Sequence, residues 1–271
     1  MEQKVLECPH WVERSASIFL CTIPFLNLSN QEKIYLTWCS YNRQQFLLAA
    51  IQAQTPTPTL DLDCSQASNA DSIQGIKHES PLYCPQKTFD QLLQSKRLSE
   101  DTIDLLYNAK ALIDMAIDFD EGIVDEVDFN IALYYFKTRL EPHIATHGSG
   151  RTSKGNWIFE CCRITVVIIL TAIETCQSLM SSDSRLTLDL VKALEKTDIG
   201  DNWGDILGVL YWVSMIGSAS SHGKPGHRLL DSTLGRTMSK LTAWDFSAAL
   251  DPVRQFSRLQ KALKNRNRVA P

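Results

Sequence analysis

The sequence has little of what marks fibrous, disordered or membrane-spanning chains. Glycine (12) and proline (10) are few among the 271 residues, and 44% of the residues are hydrophobic. That composition is typical of a globular protein and excludes collagen-like and wholly disordered chains. The most apolar run, residues 164–170, is far below the roughly 20 residues that cross a bilayer. The N-terminus also lacks the basic start and apolar core of a signal peptide, so we expect an intracellular protein without a membrane-spanning segment.

A basic excess is missing as well. The net charge is −4 and the sequence pI is about 5.9, so no global positive field attracts the chain to nucleic acid. The charges are nevertheless unevenly distributed: acidic residues crowd residues 114–128, and basic residues crowd residues 254–268. Clusters of this kind are typical of solvated helix faces, and we interpret both in that way.

Helical periodicity dominates what is present, and no run of alternating polar and apolar residues predicts a strand. The segment 156–178 is apolar nearly all round, which indicates a central, buried helix. In 125–140 the apolar positions include Val127, Ile131 and Tyr134, and Pro142 follows the predicted end. We therefore predict an all-α, bundle-like domain of several helices around one buried apolar helix. The predicted helices are 29–52, 100–119, 125–140, 156–178, 186–196, 203–218, 227–241 and 243–263.

Composition also predicts how the chain is divided. Residues 55–85 are rich in proline, serine, aspartate and asparagine and have no sustained period, which is typical of a long loop or linker. We predict an N-terminal helical segment over 1–54, a loop or linker over 55–87 and a helical domain over 88–271. The first and last of these are expected to pack together as one unit.

Two motifs resemble parts of known binding sites but lack residues that those sites require. Gly150 and Gly155 have the spacing of a nucleotide-binding P-loop, but asparagine and tryptophan follow where lysine and serine or threonine are required. His143 and His147 are four residues apart, as zinc ligands can be, but no glutamate accompanies the first histidine. We predict no cofactor, no metal ion and no catalytic residue, and hence a protein that is not an enzyme.

The acidic stretch leaves one enzyme alternative open. An all-helical fold with clustered aspartates is typical of terpene cyclases, where carboxylates hold the magnesium ions that ionise a diphosphate. The stretch DMAIDFDEGIVDEVDF contains no DDxxD motif, and no matching second motif follows on a later helix. An acidic loop between two helices explains it more simply. An all-α, terpene-cyclase-like enzyme of a biosynthetic pathway therefore stays as the alternative.

Three connected pieces of the C-terminal half resemble one known domain: FECCRITVVIILTAIETC (159–176), the segment 186–221 with its Leu-, Trp- and Gly-rich helix, and HRLLDSTLGRTMSKLTAWDFSAALDPV (227–253). Together they are similar to the regulatory domain of fungal zinc-cluster transcription factors. In the first piece Arg163 matches the arginine one turn before an aliphatic run, and in the second Trp212 and Gly217 match. An arginine in such a helix must be paired or reach solvent, and Gly208 and Gly217 would let neighbouring helices approach closely.

The departure from that family limits what the resemblance implies. Those factors read DNA through six cysteines that begin with a CxxC motif and hold two zinc ions. The eight cysteines here contain no CxxC pair, so we do not expect direct sequence-specific DNA binding. The resemblance implies a nuclear or nucleocytoplasmic transcription-regulator-like protein. It would act through a zinc-cluster regulator or the transcription machinery, through a small-molecule effector, or through both; a truncated, non-functional regulator is a further alternative.

An effector pocket in such a domain would lie between helices and be lined by apolar and aromatic groups. The candidate effector-binding or packing residues are large side chains within the region of resemblance, and packing in the core is the simpler interpretation of most of them. They are Trp157, Arg163, Trp203, Trp212 and Trp244.

Overall fold

The computed structural model describes residues 78–144, 156–200, 202–244 and 246–269. The predicted helix 29–52, most of the predicted linker, and the glycine loop and His147 lie outside these residues. The described residues belong to one compact unit. Within the predicted linker, Glu79 and Leu82 are buried. The predicted division into segments stays a prediction.

The described residues form seven α-helices and two short 3₁₀ turns, Leu92–Gln94 and Leu179–Ser181. The only β-type pairing among them is an isolated bridge between Ser80 and Tyr83. The all-α prediction is therefore confirmed. The helices are α1 (Glu100–Asp120), α2 (Glu126–Ile144), α3 (Trp157–Glu174), α4 (Ser184–Glu195), α5 (Leu207–Ser221), α6 (His227–Trp244) and α7 (Phe246–Val269).

The C-terminal end of α3 corrects one predicted boundary. The apolar pattern predicted a helix to residue 178, but α3 ends at Glu174. The N–H of Gln177 donates to the carbonyl of Ala172 (3.0 Å), and Cys176 has a left-handed φ of 51°. This arrangement is a Schellman motif, which satisfies the last carbonyls and reverses the chain. Glycine is the residue that usually occupies the left-handed position, and its absence hid the stop signal.

Pro142 was expected to follow α2 and instead lies in its last turn. Proline lacks one N–H and so removes one helical hydrogen bond. The carbonyl left without a partner is that of Thr138, which is exposed, so water can satisfy it, and α2 continues for two residues beyond Pro142.

The core is organised around α5, in which all 15 residues are buried. Helix α3 is also mostly buried, as predicted. Helix α5 packs against α6, α3 and α4, while α1 packs against α2, α3 and α7. A methyl group on Gly208 would lie 2.1 Å from the carbonyl oxygen of His78, and one on Gly217 would lie 2.8 Å from Leu230 Cδ2. The predicted close approach of neighbouring helices is observed at Gly217, whereas at Gly208 the neighbour is an irregular segment, residues 78–79, instead of a helix.

The acidic and basic clusters are partly paired with each other rather than only solvated. Arg258 of α7 forms a two-pronged ion pair with Glu121 at the end of α1 (2.7 and 2.8 Å), and Asn265 donates to Asp120 (2.8 Å). Acidic groups at a helix C-terminus oppose the helix dipole. The groups from α7 offset that cost where α1 ends.

Arg266, in the basic cluster, reaches the core from α7. Its Nη1 donates to the carbonyl of Ile173 near the end of α3 (3.0 Å), and its guanidinium lies 4.3 Å from the ring centre of Phe129. One side chain therefore caps α3 and covers an aromatic ring of α2. This arginine connects three helices.

Gly208→Ala should destabilise the protein by roughly 3 kcal/mol, because the added methyl meets backbone rather than a movable side chain. Gly235→Ala is the matched control: this glycine is inside α6, and nothing lies within 4 Å of its added methyl. The control should stabilise by about 0.5–1 kcal/mol. Urea unfolding of both variants measures the difference, and equal effects would refute the close approach of residues 78–79 to α5.

Arg266→Ala should lower the free energy of unfolding by about 2 kcal/mol, because it removes a charged hydrogen bond and a cation–π contact. Lys264→Ala, in the same basic cluster but exposed, should change it by less than about 0.5 kcal/mol. Thermal or urea unfolding provides the measurement. Similar values for the two variants would mean that Arg266 acts only as part of a solvated basic face.

Candidate interaction surface

Helix α2 lies against the core by one narrow face. Phe129 and Leu140 are fully buried there, and the ring of Phe129 packs on Phe119 of α1 with their centres 4.4 Å apart. The ion pairs Arg139–Asp104 (2.8 Å) and Lys137–Glu174 (2.9 Å) join α2 to α1 and α3. The helix is therefore held at the edge of the domain in a fixed rotation.

The opposite face of α2 is apolar and exposed. Val127 is 67% exposed, Ile131 63%, Tyr134 73% and Tyr135 55%. We call these four residues the α2 stripe. Their spacing of four, three and one residues places them on one side of the helix. Isolated exposed apolar side chains are ordinary on a protein surface, but a contiguous row of this size is typical of an interaction site.

Charged residues flank the α2 stripe in an ordered way. At 100° per residue, Glu126 and Lys137 share one flank, and Asp128 and Arg139 share the other. All four side chains are exposed. Each flank is therefore acidic beside the N-terminal half of the stripe. Beside the C-terminal half, the flank of Arg139 is basic, whereas the flank of Lys137 also carries Glu141, which is exposed and one turn further along the helix. The stripe has a polar rim that is acidic at one end and carries both basic residues at the other.

An open groove of about 370 Å³ lies beside α1, with Leu92, Leu93, Leu98 and Ile103 among its lining residues. Glu100 and Asp104 also line it, and Asp104 is the residue that pairs with Arg139 of α2. The groove is thus next to the C-terminal half of the α2 stripe. Its acidic rim and open form make it unlike the enclosed apolar pocket in which small molecules usually bind.

A buried carboxylate fixes one wall of this groove. Glu79 Oε2 accepts hydrogen bonds from the backbone N–H groups of Gln91 (2.9 Å) and Leu92 (3.1 Å). Burial raises the pKa of the Glu79 carboxyl above its ordinary value, although these two donors act in the opposite direction. Glu79 anchors the turn that carries Leu92 and Leu93.

Arg163 is buried in α3 and is paired, as an arginine in an apolar helix must be. Its Nε and Nη2 donate to the two carboxylate oxygens of Glu160 (2.8 and 2.7 Å). Trp157 begins the same helix and is half-buried, with the ammonium of Lys196 4.0 Å from the centre of its ring. The Trp157–Lys196 contact joins the start of α3 to the end of α4, the Arg163–Glu160 pair lies within α3, and neither Trp157 nor Arg163 lines the groove.

Trp203 and Trp212 are fully buried in the core. The indole N–H of Trp203 donates to Thr197 Oγ1 (2.8 Å), which fixes the turn before α5. The indole N–H of Trp212 has no acceptor among the described residues. Trp244 ends α6, and its side chain lies outside the described residues. The structure does not bring Trp157, Trp203 and Trp212 together at the groove, and a role in effector binding stays a prediction.

Sequence reasoning identified the apolar positions of α2 but not their exposure. Periodicity predicts an apolar face, yet α2 carries two, and only tertiary packing decides that Phe129 and Leu140 are the ones covered. The charged residues on both sides of the row, Glu126, Asp128, Lys137 and Arg139, were a usable signal, because such charges are typical of a solvent-exposed helix face.

Comparison of the chain with protein-family models, with curated proteins and with solved structures finds no significant match. Among the residues that the structure describes, no helix is long and apolar enough to cross a bilayer. The same residues include no group of three or more histidine, cysteine, aspartate or glutamate side chains placed to hold a metal ion.

The pH dependence of stability in a Glu79→Gln variant tests the effect of the buried carboxylate. The native carboxyl binds its proton more tightly than the unfolded one, so its contribution to stability is lost as pH rises above the ordinary glutamate range. A glutamine keeps an acceptor for the two N–H donors and carries no charge. We expect the variant to be more stable than the wild type at pH 8, with the gap shrinking toward pH 4.

Urea midpoints measured from pH 4 to pH 8 provide the readout. Glu195→Gln is the control, because Glu195 is exposed on α4 and its replacement should change stability little at any pH. A gap for Glu79→Gln that is constant with pH would contradict the role of buried charge.

Proposed function

We propose that this chain is a regulatory interaction protein that binds an amphipathic helix of a protein partner along the α2 stripe. The observation that carries the proposal is the row of four large apolar side chains, each more than half exposed, on a helix anchored to the core. Docking of one amphipathic helix against another is a common mode of recognition, and the anchors follow helical spacing.

The anchoring of α2 favours recognition without rearrangement. Phe129 and Leu140 fix the helix because they are buried in the core, and the ion pairs to Asp104 and Glu174 fix its rotation. A surface that is already in its binding conformation loses less conformational entropy on association. The two tyrosines add broad, stiff contact area and hydroxyl groups that can stay hydrated, and tyrosine is enriched in interfaces for these reasons.

The flanking charges define the chemistry of the partner. A matching helix presents an apolar row together with basic residues level with Glu126 and Asp128. It presents acidic residues level with Lys137 and Arg139. Opposite charges at the rim select the register and the direction of the bound helix more than they add affinity.

The regulatory setting rests on the resemblance of residues 156–263 to the zinc-cluster factors. In that setting the protein acts in the nucleus, through a zinc-cluster regulator or the transcription machinery that carries the matching helix. The biosynthetic-enzyme alternative is less favoured, because Asp114, Asp120 and Glu121 of the acidic stretch pair with Lys110, Asn265 and Arg258. The binding of a small-molecule effector stays a prediction, because the groove is lined by none of the candidate tryptophans or Arg163.

A designed 19-residue helical peptide with the matching apolar row and charges should bind the protein, as measured by fluorescence anisotropy. Ile131→Asp should weaken binding at least tenfold, because it places a charge in the centre of the contact. Met180→Asp is the matched control. It introduces the same charge at an exposed apolar residue outside α2 and should leave the dissociation constant unchanged.

A second peptide whose rim residues are all basic separates specific docking from nonspecific binding, because no direction of that helix matches every charge of the rim. It should bind at least fivefold more weakly than the matching peptide. Equal binding of the two peptides, or equal weakening by Ile131→Asp and Met180→Asp, would overturn the proposed surface. Circular dichroism of each variant confirms that the fold is retained.

A further inference from the structure

The chemistry required of the partner helix is present in α2 itself. It has an apolar row, acidic residues beside the N-terminal half, and Lys137 and Arg139 beside the C-terminal half. We propose that a second copy of this chain is the occupant of the α2 stripe, with the two α2 helices packed antiparallel about a two-fold axis. This inference rests on the proposed function and names the partner of the same surface.

The two-fold arrangement follows from the positions of the residues along the helix. An axis through the middle of the stripe, between residues 132 and 133, places Ile131 of each protomer level with Tyr134 of the other. Val127 is then level with Thr138 at the end of the row. A surface that is complementary to itself about such an axis closes into a dimer rather than a filament.

The charges on both flanks agree with this arrangement. A two-fold axis perpendicular to the helices keeps each flank facing the same flank of the other protomer. Glu126 then faces Lys137 of the second copy, and Asp128 faces Arg139. Members of each pair are offset by about 3 Å along the axis, or two residues at the helical rise. These four contacts across the dimer are attractive, and Glu141, on the flank of Lys137, adds one like-charge contact with Glu126 of the second copy.

A parallel pairing of the same stripe has the opposite electrostatics. It would bring the two flanks of one half together, so that Asp128 faces Glu126 and Arg139 faces Lys137 of the second copy. Both of these pairs would then join like charges. The pattern therefore selects the antiparallel arrangement, which is the arrangement of charge that fixes orientation in paired helices.

The basic residues remain accessible despite their ion pairs within the domain. The side chain of Lys137 is 62% exposed while it contacts Glu174, and that of Arg139 is 45% exposed while it contacts Asp104. Each can therefore form a second ion pair, with a carboxylate of the partner copy. Since one helix per protomer forms a small interface, we expect a weak dimer with a dissociation constant on the order of micromolar.

Sedimentation equilibrium of the full chain from 1 to 500 µM provides the test. The wild type should shift from monomer to dimer, and Ile131→Asp should stay monomeric, while Met180→Asp should behave as the wild type. Added salt should weaken the dimer, because it screens attractive pairs at the exposed rim. A wild type that is monomeric throughout, or a dimer that strengthens with salt, would overturn the inference.

A charge-exchange experiment tests the pairing itself. The double variant Glu126→Lys with Asp128→Lys replaces both acidic residues of the pairs by basic ones, and Lys137→Glu with Arg139→Glu replaces both basic residues by acidic ones. Each variant should lose self-association at least tenfold, and an equimolar mixture should form a heterodimer. If the second variant fails to fold after losing its two internal ion pairs, the first variant and Ile131→Asp still decide the result.

The designed peptide distinguishes the two levels of failure. A monomeric wild type that binds the matching peptide at the stripe overturns the second copy as partner and leaves the proposed function standing. A monomeric wild type that binds neither peptide overturns both.

Discussion

The close contact between residues 78–79 and Gly208 of α5 is the constraint on which the remaining packing depends. The carbonyls of His78 and Glu79 occupy the space that any other side chain would fill. Once the segment lies there, Glu79 is brought under the turn that it anchors through Gln91 and Leu92. A helix buried on every side must be covered from several directions, and here one of the covers is an irregular segment instead of a helix.

The number and order of the helices after residue 99 follow from apolar periodicity, because each of them has at least one face in the core. Their ends follow less well. The boundaries depend on single backbone groups, such as the left-handed Cys176 after α3, and a cysteine gives no sign in the sequence that it will adopt that conformation. The start of α5 depends on Trp203, whose hydrogen bond to Thr197 holds it in the preceding turn.

The surface was predicted less well than the core for a related reason. Burial is a property of the whole fold, whereas periodicity is a property of one segment. The acidic and basic clusters were each interpreted as solvated, since nothing local relates Glu121 to Arg258 across 137 residues of chain. For the same reason the sequence pointed to Val127, Ile131 and Tyr134 as apolar positions of α2, whereas Phe119 and Arg266 contact the face that carries Phe129.

The contact between α7 and the end of α1 also determines when the domain can complete its packing during synthesis. The ribosome makes roughly 5–20 residues per second, so α1 is complete many seconds before Arg258 and Arg266 are available. During that interval the carboxylates at the end of α1 have no guanidinium beside them, and Phe129 lacks the cation that covers it. The ring of Phe129 therefore stays without its contact to Arg266 until α7, the last described helix, has been synthesised.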